Sequence, residues 1–594
     1  MPKFIKFLLV SVLLVGLLHT GVQACWNGFE HDKTNYRCWL FQPDLMPASV
    51  VKVLSYADFE SDYDDYMSKS KSFRSRGNAD TSFYVQNIEE WQTALAADPS
   101  VKSTKTVIPK DIQTVLYNLD PDDFFRKMDG DSLRNNTFIQ AISASKSLMA
   151  YLNFAKICEQ LMNFTDPWAE GYGEGKDEIS LLRYSKMGDS VVKNTATSPF
   201  VRERTAYQMV KMAHYLGDTA RVLALYKQFF AETASKSWVV GSASYYYAVA
   251  HSNPFEQNYL LSKTFENSID KRWLSLRNFD QSDSILRGSL ALTRNVHERA
   301  TMLTLPILTN EGRTLPDLEK VYALEPKNPL LSMAIQREIN KLEDWIYTNK
   351  FTEFSSSSKD YEKYDYDLEE KRRAAGITQK DIDAKNLRSD LAYLNDITAF
   401  VTRVATEGKR TDLAFFQLAA GHLAFLKKDF KTAKQFLAAA KTAKNAGNTP
   451  LSIQTQIWLT DLLCDLYAAE HLDANAEIAI LKFDDFLKKQ KNTLADYTTF
   501  RSQIMRFISE RFISDEKMAK GVLILSKSTL TFGSINGTWE KNFYHKLLFE
   551  GTPQDIEDVI DIVSRKERKS LTPFERWLAS EPKAYQSPQG CRGC

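Results

Sequence analysis

Two thiols close the chain at the spacing of a redox dithiol, Cys591 and Cys594 in the run QGCRGC. A catalytic dithiol belongs at a helix start inside a βαβ unit, and this pair ends a polar tail, so its expected chemistry is a terminal disulfide or two free thiols. Cys25 and Cys38 stand at the other end, and Cys25, Cys38, Cys591 and Cys594 together are the disulfide candidates. Cys158 and Cys464 lie inside helical patterns and read as small core hydrophobes. Among the 8 histidines none belongs to an HExxH pair, and His297 in HERA has no second histidine nearby. GYGEGKDE at Gly171 to Glu178 superficially resembles a phosphate loop, but Asp177 stands where Ser or Thr should follow Gly-Lys, and no strand precedes it. The carboxylates of DPDDFF (Asp120 to Phe125) and MDGDS (Met128 to Ser132) lack calcium-loop spacing and read as helix caps and turns. No GxSxG elbow occurs. The aromatic run with Trp238, Tyr245, Tyr246 and Tyr247 could line a sugar-stacking surface, but consecutive helical tyrosines point in three directions, so core packing is the expectation. No catalytic residue, cofactor or metal site is expected.

The elements around these residues begin with Met1 to Ala24. Lys3 and Lys6, the apolar run Phe7 to Leu18 and the closing VQA have the order of a secretory signal, in a run too short to remain as a membrane span. Cys25 follows at once and is a candidate for lipidation. No later stretch has the length of uninterrupted apolar sequence that a transmembrane helix needs. With 76 basic and 75 acidic residues the formal charge is +1, and losing Lys3 and Lys6 would turn it to −1. A near-neutral chain with mixed signs has no electrostatic footprint for nucleic acid. The densest basic run, Lys69 to Arg76, follows the acidic SDYDDY and reads as a solvated loop.

Residues 25–105 scatter Trp, Tyr, Phe and Asp without a clear period and are expected to form an irregular N-terminal region. Residues 106–350 repeat apolar side chains at three- and four-residue spacing, as a first helical domain should. Segment 351–386 replaces aliphatics with serine, tyrosine and alternating charge, and reads as a linker. Periodicity resumes over 387–568, and 569–594 is left as a tail. No set of regularly spaced strands is found, so the fold is expected to be all-α.

Within that second domain, LAFFQLAAGHLAFLKKDFKTAKQFLAAAK (Leu413 to Lys441) resembles a tetratricopeptide repeat, an antiparallel helix pair of about 34 residues. Against that pattern, in the pair 412–445, Gly421 takes the position of close approach, Phe430 opens the second helix, Ala433 and Ala440 are its small contacts and Leu437 the bulky residue between them. The family's first-helix Trp and closing Pro are replaced by Gln417 and Asn445. AHYLGDTARVLALYKQF, with Gly217 and Asp218 at a turn, and the Pro326 to Pro329 segment echo it. The resemblance implies stacked helical-repeat arrays, or α-solenoids, with concave surfaces.

Taken with the exported start ACWNGF, the whole resembles exported tetratricopeptide-like proteins of Bacteroidota envelopes. That likeness implies a periplasmic or outer-membrane location and carries over no catalytic residue. The leading expectation is a non-enzymatic exported scaffold holding a protein partner in the envelope. The alternatives are a glycan- or nutrient-binding lipoprotein like the SusD class and a cell-wall hydrolase on an α-superhelix.

Overall fold

The computed structural model describes residues 38–42, 82–101, 107–130, 132–162, 177–351, 356, 371–443, 451–490, 497–528, 543–564 and 571–580. Every regular element among them is a helix, from Ser82–Ala97 to Pro573–Ala579, and no strand occurs. No helix among them is long and apolar enough to cross a membrane.

Short polar residues start these helices by accepting the backbone N–H groups that a first turn leaves without partners. Asp120 caps Pro121–Asp129, Asp177 caps Glu178–Lys193 and Asn295 caps Val296–Thr309. The acidic runs that lacked calcium-loop spacing thus include a helix cap at Asp120, and Asp177 of the glycine-rich run is another.

One helix-to-helix turn occurs four times among the described residues. A residue with positive φ ends one helix, and the next residue reaches back five positions: Gly217 (φ 77) with Asp218 N–H to the Ala213 carbonyl at 2.9 Å, and Lys428 (φ 62) with Asp429 N–H to Ala424 at 2.9 Å. Glu516 (φ 58) with Lys517 N–H to Phe512 at 3.0 Å is the third, and Gly376 (φ 67) with Ile377 N–H to Arg372 at 3.0 Å is the fourth. This back-bond ties off the last carbonyls of the helix and turns the chain sharply. In the first two turns the donor aspartate also caps the following helix, Asp218 over Thr219–Phe229 and Asp429 over Phe430–Thr442.

Most of the apolar core forms one cluster running from Cys38 to Ala579. A smaller one gathers Trp91, Phe138, Tyr151 and their neighbours near the N-terminal end. The two periodic regions 106–350 and 387–568 therefore share a core. Tyr347 meets Phe507 edge-on at 4.8 Å, Trp345 lies 6.2 Å from Tyr393, and Arg313 pairs with Asp390 at 3.0 Å.

Three boundaries differ from the expectation. Ser82–Ala97, inside the supposedly irregular 25–105, is a helix because Ile88, Trp91 and Leu95 form a short stripe that buries against Phe138 and Phe200. Gln379–Glu407 starts inside the linker, nucleated by a capping box between Thr378 and Asp381. Pro573–Ala579, in the tail, is a helix with its own Thr572–Glu575 capping box, and Phe574 stacks on Phe512 at 5.7 Å.

Candidate functional site

The helix Leu330–Phe351 is buried along nearly its whole length, polar residues included. A surface helix keeps its polar face in water. Here that face lies inside, so each group on it needs a partner. Glu338 pairs with Lys341 at 2.6 Å and accepts from Tyr393 at 2.5 Å and Thr314 Oγ1 at 2.7 Å. Lys341 Nζ donates onward to the carbonyl of Asn310 at 3.2 Å and to that of Gly312. Burial, helped by the charge of Arg337, pulls the Lys341 ammonium below its ordinary range, and Glu338 only partly opposes it. Burial and the Glu338 carboxylate drive the Tyr393 phenol far up.

One turn further along, the same helix holds a piece of chain from far away in sequence. Residues Cys38 to Gln42 are non-helical and fully enclosed, with Cys38, Leu40 and Phe41 at 0 % exposure. Glu343 accepts the Phe41 N–H with both oxygens at 3.1 Å, Asn340 Nδ2 donates to the Phe41 carbonyl at 2.6 Å, and the Gln42 N–H reaches Gln456 Oε1 at 3.1 Å. Main-chain groups of the segment are thus met by side chains of the helices around it. Glu343 also holds His422 Nε2 at 2.7 Å, and His422 Nδ1 lies 3.1 Å from Thr460 Oγ1. Trp39 stacks parallel to Phe500 at 6.0 Å, while Phe41 sits between Phe415 at 6.0 Å and His422 at 4.9 Å. This arrangement holds a segment of the chain by its backbone, with aromatic contacts flanking its side chains.

Of the disulfide candidates, Cys38 is a buried free thiol. Burial pushes the thiol up to about 11, although Arg506, donating from Nη1 at 3.5 Å, pulls the other way. Cys25, Cys591 and Cys594, like Met1 to Ala24, lie outside the described residues. Cys158 and Cys464 are free and buried, each thiol pushed up to about 12 by burial, as suits inert core positions.

The residues assigned to repeat packing meet as follows. A Cβ on Gly421 would come within 3.1 Å of the Ala433 carbonyl oxygen and 3.1 Å of Leu437 Cγ, so a larger residue would require the facing helix to give by a few tenths of an ångström. Ala433, Leu437 and Ala440 are buried, and Phe430 lies 6.2 Å from Phe425 at the turn. His297 is bracketed by carboxylates, Glu325 at 2.8 Å on Nδ1 and Glu266 on Nε2. Among the described residues no group of three or more His, Cys, Asp or Glu side chains is placed to hold a metal ion.

The aromatic run is divided. Tyr245 and Tyr246 are buried, and Trp238 packs edge-on against Tyr207 at 5.8 Å. Half-buried Tyr247 stacks on Tyr226 at 4.1 Å, with His251 edge-on at 4.6 Å. Tyr226 therefore already occupies one face of the Tyr247 ring.

Asn340, Glu343, His422 and Gln456 carried no motif. Their one sequence signal is Gln336, Asn340 and Glu343 at i, i+4 and i+7, a stripe that looks like an ordinary solvated face. No family model matches the chain, and neither a curated protein nor a solved structure matches it.

Proposed function

We propose that this chain is a non-enzymatic, exported helical-repeat scaffold that binds a protein partner in the cell envelope. The observation carrying the reading is the segment Cys38–Gln42, gripped through its main chain by Asn340, Glu343 and Gln456. Helices that hold a peptide backbone in cis have the chemistry to hold one in trans. The recurring turn at Gly217, Lys428 and Glu516 and the close approach at Gly421 support repeated helix pairs of the tetratricopeptide kind. The groups that most resemble a catalytic pair, Glu343 and His422, are at 0 % exposure and committed to structural bonds, which favours binding over turnover. The envelope location rests on the signal-like Met1 to Ala24.

The test is crosslinking in intact cells followed by mass spectrometry, beside an assay of the purified protein on peptidoglycan and polysaccharides. A recurrent envelope protein crosslinked to the helices is expected. Release of soluble sugar or peptide fragments, abolished by changing a single carboxylate, would replace the scaffold with an enzyme.

A further inference from the structure

We infer that the groove lined by Asn340, Glu343, His422 and Gln456 is a peptide-docking site, and that its present occupant, Cys38–Gln42, can give way to a partner's non-helical peptide bearing aromatic side chains two residues apart. The inference rests on the scaffold reading and names the chemistry of the partner. Three observations carry it.

The first is the mode of recognition. The bonds from Glu343, Asn340 and Gln456 to Phe41 and Gln42 run between side chains and main chain, so these contacts would hold any residue sequence. Selectivity comes from the enclosed side chains, above all the aromatic contacts of Trp39 with Phe500 and of Phe41 with Phe415 and His422. A partner peptide would reproduce the Trp-x-Phe spacing.

The second is the composition of the wall. Emptying an apolar core leaves a dry cavity whose lining loses its contacts. Beside the apolar rings of Phe415 and Phe500, this wall carries a polar, internally bonded strip: Asn340 reaches Glu343 at 3.3 Å, Glu343 reaches His422, and Gln456 reaches Thr460 at 3.4 Å. Those bonds survive departure of the segment, and water can take the places of the Phe41 and Gln42 main-chain groups.

The third is an unmatched acceptor. Gln336 lies one helical turn before Asn340 on the same face, is 5 % exposed, and its Oε1 is buried without a hydrogen-bond partner. The polar face thus continues beyond the pair that holds Phe41, with an unused acceptor for an N–H of a longer peptide.

Hydrogen exchange on the full chain is the first arm of the test. The Phe41 and Gln42 amides should exchange through a local opening, well ahead of the core amides of Leu330–Phe351. The second arm uses a fluorescent synthetic peptide spanning Tyr36 to Asp44 as probe. The full chain carrying Trp39→Ala and Phe41→Ala should bind it at least about tenfold more tightly than the unsubstituted chain, because the internal competitor is weakened. Adding Asn340→Ala to that background should reverse the gain. Exchange of Phe41 and Gln42 only together with the core of the helix overturns the proposal, as does a folded double variant that ignores the probe. If the double variant fails to fold, the exchange arm on the unsubstituted chain decides alone. Probe binding without any partner crosslinked in cells would remove the envelope-partner reading alone, whereas a crosslinked partner with Phe41 never opening locally would remove only this proposal.

Discussion

Glu343 and His422 meet at 2.7 Å with neither side chain exposed, and the same carboxylate accepts the Phe41 N–H. One group therefore ties together the helices Leu330–Phe351 and Leu413–Leu426 and the N-terminal segment. Removing one partner of a buried polar pair is costly because the other keeps its desolvation penalty. Glu343→Ala should cost about 3–5 kcal/mol of stability. The double variant Glu343→Ala, His422→Leu should cost clearly less than the sum of the singles. Denaturant titration of the cycle measures this, and strictly additive losses would mean that the two side chains are not coupled.

The Gly421 approach is tight, with a Cβ there coming within 3.1 Å of the Ala433 carbonyl oxygen. Ala433→Phe should force the paired helices apart and cost about 1–3 kcal/mol. An unchanged melting curve would mean that Leu413–Leu426 and Phe430–Thr442 do not pack in this register.

Neighbouring residues His297 and Glu298 should shape opposite limbs of the pH–stability curve. Partial burial works against a charged His297, but hydrogen bonds and charges from Glu266 and Glu325 outweigh it, so its pKa is raised above 6.5. Stability from His297 is then complete below 6.5 and lost as pH rises through the higher folded value. Burial also opposes a charged Glu298, yet bonds from Lys263, the Arg294 N–H and Tyr259 hold it at about 2, against an ordinary 4.5. That contribution, about 3 kcal/mol, is present above 4.5 and lost as pH falls toward 2. In difference curves against the wild type, the deficit of His297→Gln should shrink as pH rises above 6.5. The deficit of Glu298→Gln should shrink as the solution is acidified below 4.5. Melting temperatures across that range check both signs.

The C-terminal helix is part of the core. Phe574 is 2 % exposed against Phe512, so Phe574→Ala should cost about 3–5 kcal/mol. Trp577 Nε1 donates to the buried Asp484 at 2.9 Å, and Trp577→Phe should cost about 1–3 kcal/mol by leaving that acceptor one partner short. Chemical denaturation of the full-length variants decides whether residues 571–580 are integral or dispensable.

The small-residue contact around Gly421, Ala433 and Leu437 and the turn at Gly217 were legible because their partners are close in sequence. Helix periodicity and capping likewise act within a few residues. The helix at Ser82–Ala97 and the start of Gln379–Glu407 were missed for a related reason. A three-residue apolar stripe and a lone capping box are faint locally, and burial against distant partners completes them.

The sequence by itself determined an all-helical chain with at least one pair of helices in close contact. These are properties of 3.6-residue repetition and of backbone groups that must be bonded nearby. Only the tertiary structure decided that Gln336, Asn340 and Glu343 face inward, since the same polar stripe on a lone helix would face water. It also decided where Cys38–Gln42 goes: Phe41 meets Glu343 across 302 residues and Gln42 meets Gln456 across 414. No local pattern encodes such a meeting, because it depends on how every intervening helix packs, and a polar group is driven inward only when its partners are already there to receive it.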